Sequence, residues 1–526
     1  MLARAHSFAI DGLAVRRVTV EVDLRSGLPS FSVVGLADTS VREARERVRA
    51  ALLNSDFAFP AKRITANLAP ADLPKVGPGL DLALACALLA ASGQLPGERL
   101  DRYAVFGELA LGGELRGGET ALALALAARR AGLEGLVLPA EVREEAALVD
   151  RLVVGGARDL REAVGLLSGS IPMPAPMAGS PYAPSAPASP SLEEVRGCAQ
   201  AIRALTVAAA GGHNLLLCGP PGAGKTMLAR RLPSILPPLS RREAIEVTRI
   251  QALARLRQGP GLVGERPFRA PHHHTSAIGL IGGRDPRRPG EVVLADHGVL
   301  FLDELSEFAR DALAALRQPL EDRCVAVARG HEVEVQPARF LLVAATNPCP
   351  CGFAGHGSCR CSGTDLARHR RRLSGPLLDR MDLVVNMEPP THEELARGPA
   401  TTSAHVRELV VRARERQRAR LRDVGASTNA DLDTVLLARH VELAPRARAV
   451  LAAAHARGAL SARGHVRVLR VARTIADLHG SDAVERVHIL AALALRDLTV
   501  ATRPGLSGPP LDPEPADLEP AESGVG

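Results

Sequence analysis

The chain has 526 residues, 46% hydrophobic and 2% aromatic with no Trp, and its 65 Lys and Arg against 58 Asp and Glu give a formal charge of +7 and a pI near 9.3. That length excludes a single core and points to two to four domains, the apolar fraction excludes a largely disordered chain, and Leu, Val and Ala must do most of the packing. The positive balance is compatible with a nucleic-acid partner but, spread over this length, supports one only weakly.

The opening segment MLARAHSFAI has no long apolar run, and nothing later approaches a membrane span, so a cytoplasmic protein without membrane attachment is expected. Eight cysteines in such a chain argue against a disulfide framework and for buried thiols or a metal. Residues 1–167 hold strands at RRVTVEVDL and LPSFSVVGL, a helix SVREARERVRAALLNS, the segment RITANLAPADLPK and an apolar helix LDLALACALLAAS. This mixture indicates an α/β or α+β domain. Residues 168–191 are rich in Pro, Ala and Ser and form an extended linker. From 192 to 400, apolar strands at NLLLC, GVLFLDE, RFLLVAAT and MDLVVNM alternate with helical stretches, as in a parallel sheet covered on both faces. Residues 401–502 are nearly all helical, and 503–526 read as a disordered tail.

GPPGAGKT, comprising Gly219, Pro220, Pro221, Gly222, Ala223, Gly224, Lys225 and Thr226, fits the pattern G-x-x-x-x-G-K-[ST] between a buried strand and a helix. Its glycines let backbone N–H groups turn around phosphate oxygens, Lys225 would reach the β- and γ-phosphates, and Thr226 would hold Mg2+. Lysine occurs elsewhere only at Lys62 and Lys75. GVLFLDE supplies an acidic pair at a strand end, Asp303 for the Mg2+ shell and Glu304 to polarise the attacking water. Asn347 ends the strand LLVAAT, where it could orient that water or sense the γ-phosphate. Arg380 in LLDRMD is a candidate arginine finger for a neighbouring subunit's nucleotide. In isolation either residue is equally compatible with a structural role.

In this order these motifs resemble those of AAA+ ATPases. GERPFRAPHHHTSAIGLIGG, PGEVVLADHGVLFLDEL and LSARGHVRVLRVARTIADL narrow the resemblance to the magnesium-chelatase-like branch and its YifB/ComM family, from near residue 1 to about 500. The resemblance implies an ATP- and Mg2+-dependent homo-hexameric ring with sites between subunits. It also implies a helical lid with a sensor arginine at Arg467, Arg470 being the alternative. The implied work is translocation on single-stranded or branched DNA, branch migration of recombination intermediates in natural transformation. The rival readings are a magnesium-chelatase motor subunit and a chaperone-like remodeller of proteins. The N-terminal domain resembles the Lon-type protease fold, but Gly79 stands where the nucleophilic serine would fall and Thr120 where its lysine would. Peptidase chemistry is therefore not expected. Cys198 replaces the Gln usual beside the adenine pocket.

CPCGFAGHGSCRC places Cys349, Cys351, Cys359 and Cys361 within thirteen residues, two C-x-C pairs that suit a tetrahedral Zn2+ site or else remain free thiols. His272, His273 and His274, adjacent in an extended loop, are expected to point apart and to serve hydrogen bonding or a subunit interface rather than a metal. The helix at 405–422 carries Arg407, Arg412, Arg414, Arg416, Arg418, Arg420 and Arg422, interleaved with Glu and Gln like a solvated face. CVAVARGHEVEVQPARF predicts a β-hairpin with Arg329 and His331 at its tip, the candidate DNA contact in a ring pore.

Overall fold

The computed structural model describes residues 1–496 except 36–38, 76, 177–181, 183–188, 258, 260, 284–287, 330, 331, 355–357, 374–376, 400, 458 and 459. His331, residues 177–181 and 183–188 of the expected linker, and the expected tail lie outside the described residues.

The N-terminal region is a seven-stranded mixed sheet. Its spatial order is Ser30–Val34, Arg63–Ala69, Ala14–Arg25, Leu2–Asp11, Tyr103–Val105, Gly135–Pro139 and Val153–Ala157. The strict alternation in Ala14–Arg25 buries Val18, Val20, Val22 and Leu24 on one face. Helix Asp81–Ala91 is buried at every position but Ala90, so its one acid needs a partner inside. Arg47 on helix Thr39–Asn54 supplies two charged hydrogen bonds, Nε to Oδ2 at 2.7 Å and Nη2 to Oδ1 at 3.0 Å. Burial still pushes the Asp81 carboxyl above its ordinary range against the pull of Arg47. Gly79 lies under the Phe106 ring, where an added Cβ would sit 2.2 Å from Cζ. Any side chain there would have to displace the ring.

The second sheet has five parallel strands in the order Phe268–Arg269, Val299–Leu302, Leu341–Thr346, Leu215–Cys218 and Leu383–Asn386. Strand Leu215–Cys218 comes first in the chain yet sits between the last two, so the chain's progression reverses around it. Open parallel sheets place ligands at the carboxyl ends of strands beside such a switch. The hairpin forms as Cys324–Arg329 paired with Glu332–Pro337, and joins the sheet's neighbourhood by burying Val325 and Val327.

Helices Ser403–Arg420, Pro445–Ala456, Ala462–Leu478 and Arg486–Ala494 share a core with the sheet, Val410, Leu451, Val471 and Ile489 lying in one cluster with Leu215 and Leu217. The expected solvated face holds for Arg412, Arg416, Arg418 and Arg422 but not for the other three. Arg407 donates to Ser234 O, Arg414 to Ala209 O, and Arg420 to Asp477 and Asn429. Charge interleaving along a helix cannot distinguish these staples from surface arginines. The N-terminal sheet docks on helix Arg241–Leu253 through Arg249 Nη1 to Leu13 O at 3.0 Å and Arg241 Nη2 to Asp150 Oδ1 at 2.8 Å.

Beneath strand Val299–Leu302 lies a charged knot. His297 Nε2 is 2.7 Å from Glu246 and 3.5 Å from Asp296, and its Nδ1 is 3.5 Å from Glu243, which also faces Arg266 at 3.3 Å. Burial alone would lower the imidazole pKa, but hydrogen bonds to Glu243 and Glu246 and the charge of Asp296 overcome it and raise it to about 9. The folded value exceeds the ordinary 6.5, so the stabilisation is complete below pH 6.5 and is lost as pH rises through about 9. The melting temperature should therefore fall between those pH values, and His297→Gln should flatten the decline. Parallel melting curves for the two proteins across this range would refute the assignment.

Candidate active site

Strand Leu215–Cys218 is fully buried and ends in the glycine-rich loop. Gly222 and Gly224 adopt φ of 83° and 84°, a left-handed conformation that other residues enter at a cost, and the chain then enters helix Lys225–Ala229. Lys225 Nζ donates to Gly219 O at 2.6 Å, Pro220 O at 2.9 Å and Asn347 Oδ1 at 3.0 Å. Burial lowers its pKa, while the charges of Cys218, Asp303 and Glu304 oppose that shift. Thr226 Oγ1 donates to Asp303 Oδ2 at 2.7 Å.

These groups fit a magnesium nucleotide. A hydroxyl and a carboxylate side by side are the hard oxygen ligands Mg2+ takes. The three hydrogen-bond acceptors of the Lys225 ammonium are neutral oxygens, so its charge is left for a phosphate to meet. Lys225 and Asn347, 122 positions apart, are in contact because strands Leu215–Cys218 and Leu341–Thr346 pair in parallel and end together.

Glu304 has φ 51°, also left-handed, and its N–H donates to Asp303 Oδ1 at 3.0 Å. Its carboxylate lies 3.2 Å from His273 Nδ1. The three histidines do not point apart as expected. Their ring centroids are 4.1 to 5.1 Å from one another, and a nitrogen of each lies within 4.8 Å of the others. A turn with a hydrogen bond from Thr275 N to His272 O folds the loop back on itself, which adjacency in an extended chain would not do. His273 is the neighbour of Glu304 that sequence reasoning missed. The segment PHHHTS was visible, but its approach to a residue 31 positions later was not.

The arginines lie elsewhere. Asn214, which precedes strand Leu215–Cys218, bonds Arg380 O and the backbone of Asp382. Arg380 therefore sits at the opposite end of the sheet from the loop, one strand length or about 13 Å away. Its guanidinium pairs with Glu321. Arg467 is 3.7 Å from Asp382 at that same end, and Arg470 donates to Leu432 O at 2.6 Å. Within one chain none of the three approaches Lys225.

Cys198 lies against the loop, its Sγ 3.9 Å from Ala223 O. The four clustered cysteines converge, with Sγ atoms all within 4.8 Å of one another. Burial pushes the Cys349 thiol up to about 12, whereas backbone N–H groups of Arg360 and Phe353 pull Cys351 down to about 6. Arg329 ends the first strand of the hairpin; its side chain, like His331, lies outside what is described.

Three family descriptions match in succession: "Subunit ChlI of Mg-chelatase" over residues 20–142, "Magnesium chelatase, subunit ChlI" over 191–395, and its C-terminal part over 400–496. An uncharacterised protein of Mycobacterium tuberculosis is 44% identical over 497 residues, 94% of this chain and 98% of the relative. The uncharacterised protein YifB of Escherichia coli is 41% identical and Competence protein ComM of Haemophilus influenzae 42%, each over 94% of this chain and 97% of its own. The chain belongs to the YifB/ComM family of magnesium-chelatase-like proteins. The mixed α/β fold with a parallel central sheet agrees with that membership, and the family implies use of ATP and Mg2+. Among the described residues no helix of this YifB/ComM member is long and apolar enough to cross a membrane.

The roles expected of Lys225 and Glu304 divide labour between binding and turnover. Lys225→Ala should abolish tight ATP binding in an equilibrium titration. Glu304→Gln should bind ATP normally and lose turnover by a factor of roughly 100 or more, as for a removed general base. Near-normal phosphate release by Glu304→Gln would show that another group polarises the water.

Proposed function

We propose that the chain hydrolyses ATP as a homo-hexameric ring motor and spends that energy moving along single-stranded or branched DNA. The observation that carries the reading is the split site. Lys225, Thr226, Asp303, Glu304 and Asn347 gather at one end of the central sheet, while Arg380, Arg467 and Arg470 gather at the other. A transferring phosphoryl group needs cationic stabilisation beyond Lys225. A second copy, docked head to tail, supplies it when the arginine end of one subunit meets the loop end of the next, and repetition of that contact closes a ring. Bound Mg2+·ATP brings the polarised phosphoryl group. The chain's own contribution is to hold it with Lys225, coordinate through Thr226 and Asp303, and take the water's proton at Glu304.

Membership beside ComM, named a competence protein, supports DNA as the substrate, and the family resemblance implies branch migration during natural transformation. The hairpin offers a suitable contact. Its outer face carries Ala326, Ala328, Val333 and Val335, all exposed and uncharged, which leaves phosphate contact to Arg329 and His331 at the tip. The N-terminal domain acts as a binding or assembly module without peptidase chemistry, since Gly79 has neither a nucleophile nor room for one. The magnesium-chelatase reading keeps the support of the family descriptions, but the YifB and ComM relatives match nearly end to end, N-terminal region included. ATPase stimulation by branched DNA, unfolded protein or a porphyrin-loaded partner separates the motor, remodeller and chelatase readings.

Arg380→Ala should bind ATP but hydrolyse it poorly, and mixing it with Lys225→Ala should recover activity, since mixed rings contain some intact composite sites. No recovery in rings verified to be mixed would sink the action in trans.

Arg329→Ala tests the work done. A motor that moves along DNA cannot depend on sequence, so the tip should contact phosphates. The variant should bind different DNA sequences with a similar loss and a shallower salt dependence, by about one phosphate per contacting subunit. Basal ATPase should survive while DNA stimulation and fork movement fall together. Unaltered gel shifts across salt and unaltered branch migration would remove the hairpin from the mechanism.

A further inference from the structure

The thiols of Cys349, Cys351 and Cys359 are separated by 3.4, 3.9 and 3.7 Å, and that of Cys361 completes the group within 4.8 Å. These distances are far beyond a disulfide bond of about 2.05 Å. They match instead the edge of a tetrahedron of thiolates 2.3 Å from a central zinc, about 3.8 Å. The Ala354 N–H donates to Cys349 Sγ at 3.2 Å, the kind of contact that steadies a ligating thiolate. Four soft sulfur ligands exclude Mg2+ and Ca2+ and select Zn2+ or an iron–sulfur group.

The position of the cluster gives it a further role. Cys349 follows Asn347 by two residues, and Asn347 Oδ1 accepts from Lys225 while its carbonyl faces His369 Nε2 at 2.9 Å. On the other side, Gly352 packs behind the phosphate loop with φ 87°, and an added Cβ would lie 2.5 Å from Pro221 Cδ. The segment from Pro348 to Ser362 contains no helix or strand among its described residues. Its contacts with the loop therefore lack secondary structure to fix them.

We propose that Cys349, Cys351, Cys359 and Cys361 bind one Zn2+ and that the metal-loaded knuckle braces the nucleotide site, holding Asn347 against Lys225 and Gly352 against Pro221. The bracing role rests on the reading of the loop as an ATP site; the metal site does not.

Elemental analysis of full-length protein purified without chelator should find one zinc per chain. Stripping it with a chelator selective for zinc over magnesium should weaken binding of a fluorescent ATP analogue by about tenfold or more, and one equivalent of zinc should restore it. Cys351→Ser with Cys359→Ser should lose zinc and show the same weakening. If circular dichroism shows that variant unfolded, the strip-and-restore series on the native chain decides alone. Less than about 0.1 zinc per chain, or iron in its place, overturns the zinc site. Removable zinc with ATP affinity unchanged within twofold overturns the brace. No ATP binding by zinc-loaded protein overturns the nucleotide reading and the brace with it, and leaves the zinc count to judge the metal site.

Discussion

Strand Leu215–Cys218 is buried on both faces and paired on both edges, so every polar group at its two ends must be satisfied from within the protein. At the start, Asn214 meets that demand almost alone. Its carbonyl accepts from Asp382 and Leu383, its Oδ1 accepts from Leu342 N at 3.1 Å, and its Nδ2 donates to Arg380 O at 3.1 Å. One residue, through its carbonyl and its side chain, thus ties three strands together. Cys218 pairs with Thr346 and with Asn386, so these strands finish together, and with Leu302 paired to Ala344 beside them the loop, Asn347 and the Asp303–Glu304 pair emerge at one edge. An unsatisfied buried amide costs about 1–3 kcal/mol, so loosening this tie would disturb strand register before it touched the chemistry.

The choice of cation follows from the same confinement. Arginine fills nearly all basic positions, yet Lys75 and Lys225 hold out where a cation fits among backbone carbonyls, Lys75 against Pro70 O and Lys225 against Gly219 O and Pro220 O. A compact ammonium with rotatable donors suits such a cage, whereas a planar fork does not. Where distance matters, arginine does the opposite task. Arg231, Arg266, Arg407 and Arg414 cross between elements to reach main-chain oxygens. In a core built from Leu, Val and Ala with few aromatics, these long staples join layers that smaller side chains cannot bridge.

This also explains what the sequence made legible. Strands, the phosphate loop, the acidic pair and the hairpin are local, and each was readable from periodicity, glycine placement or a strand end. The Lys225–Asn347 bond spans 122 positions and the His273–Glu304 contact 31, and both depend on strand order, which no local pattern encodes. The histidine loop was misread because adjacency suggests divergence in an extended chain, while the turn at Thr275 folds it. Arginines on helix Ser403–Arg420 were half misread for a related reason. Their burial is decided by the shape of the neighbouring element, not by their own helix.

Glu304 shows what that spatial information adds. A left-handed backbone costs a non-glycine residue roughly 1 kcal/mol or more, and here the conformation is held by the Asp303 carboxylate on one side and His273 on the other. The Glu304 carboxylate thus already has a partner within the chain. Lys225 is likewise engaged with its own loop, and Arg380 with Glu321. On the proposed reading, each of the three charged groups that turnover needs must exchange an internal partner for one brought by nucleotide or by the neighbouring subunit. Hydrolysis by an isolated chain would then be slow for a structural reason. Glu304 faces His273 and Arg380 faces Glu321, while Lys225 meets only neutral oxygens, and on this reading assembly around bound ATP offers all three their working partners at once.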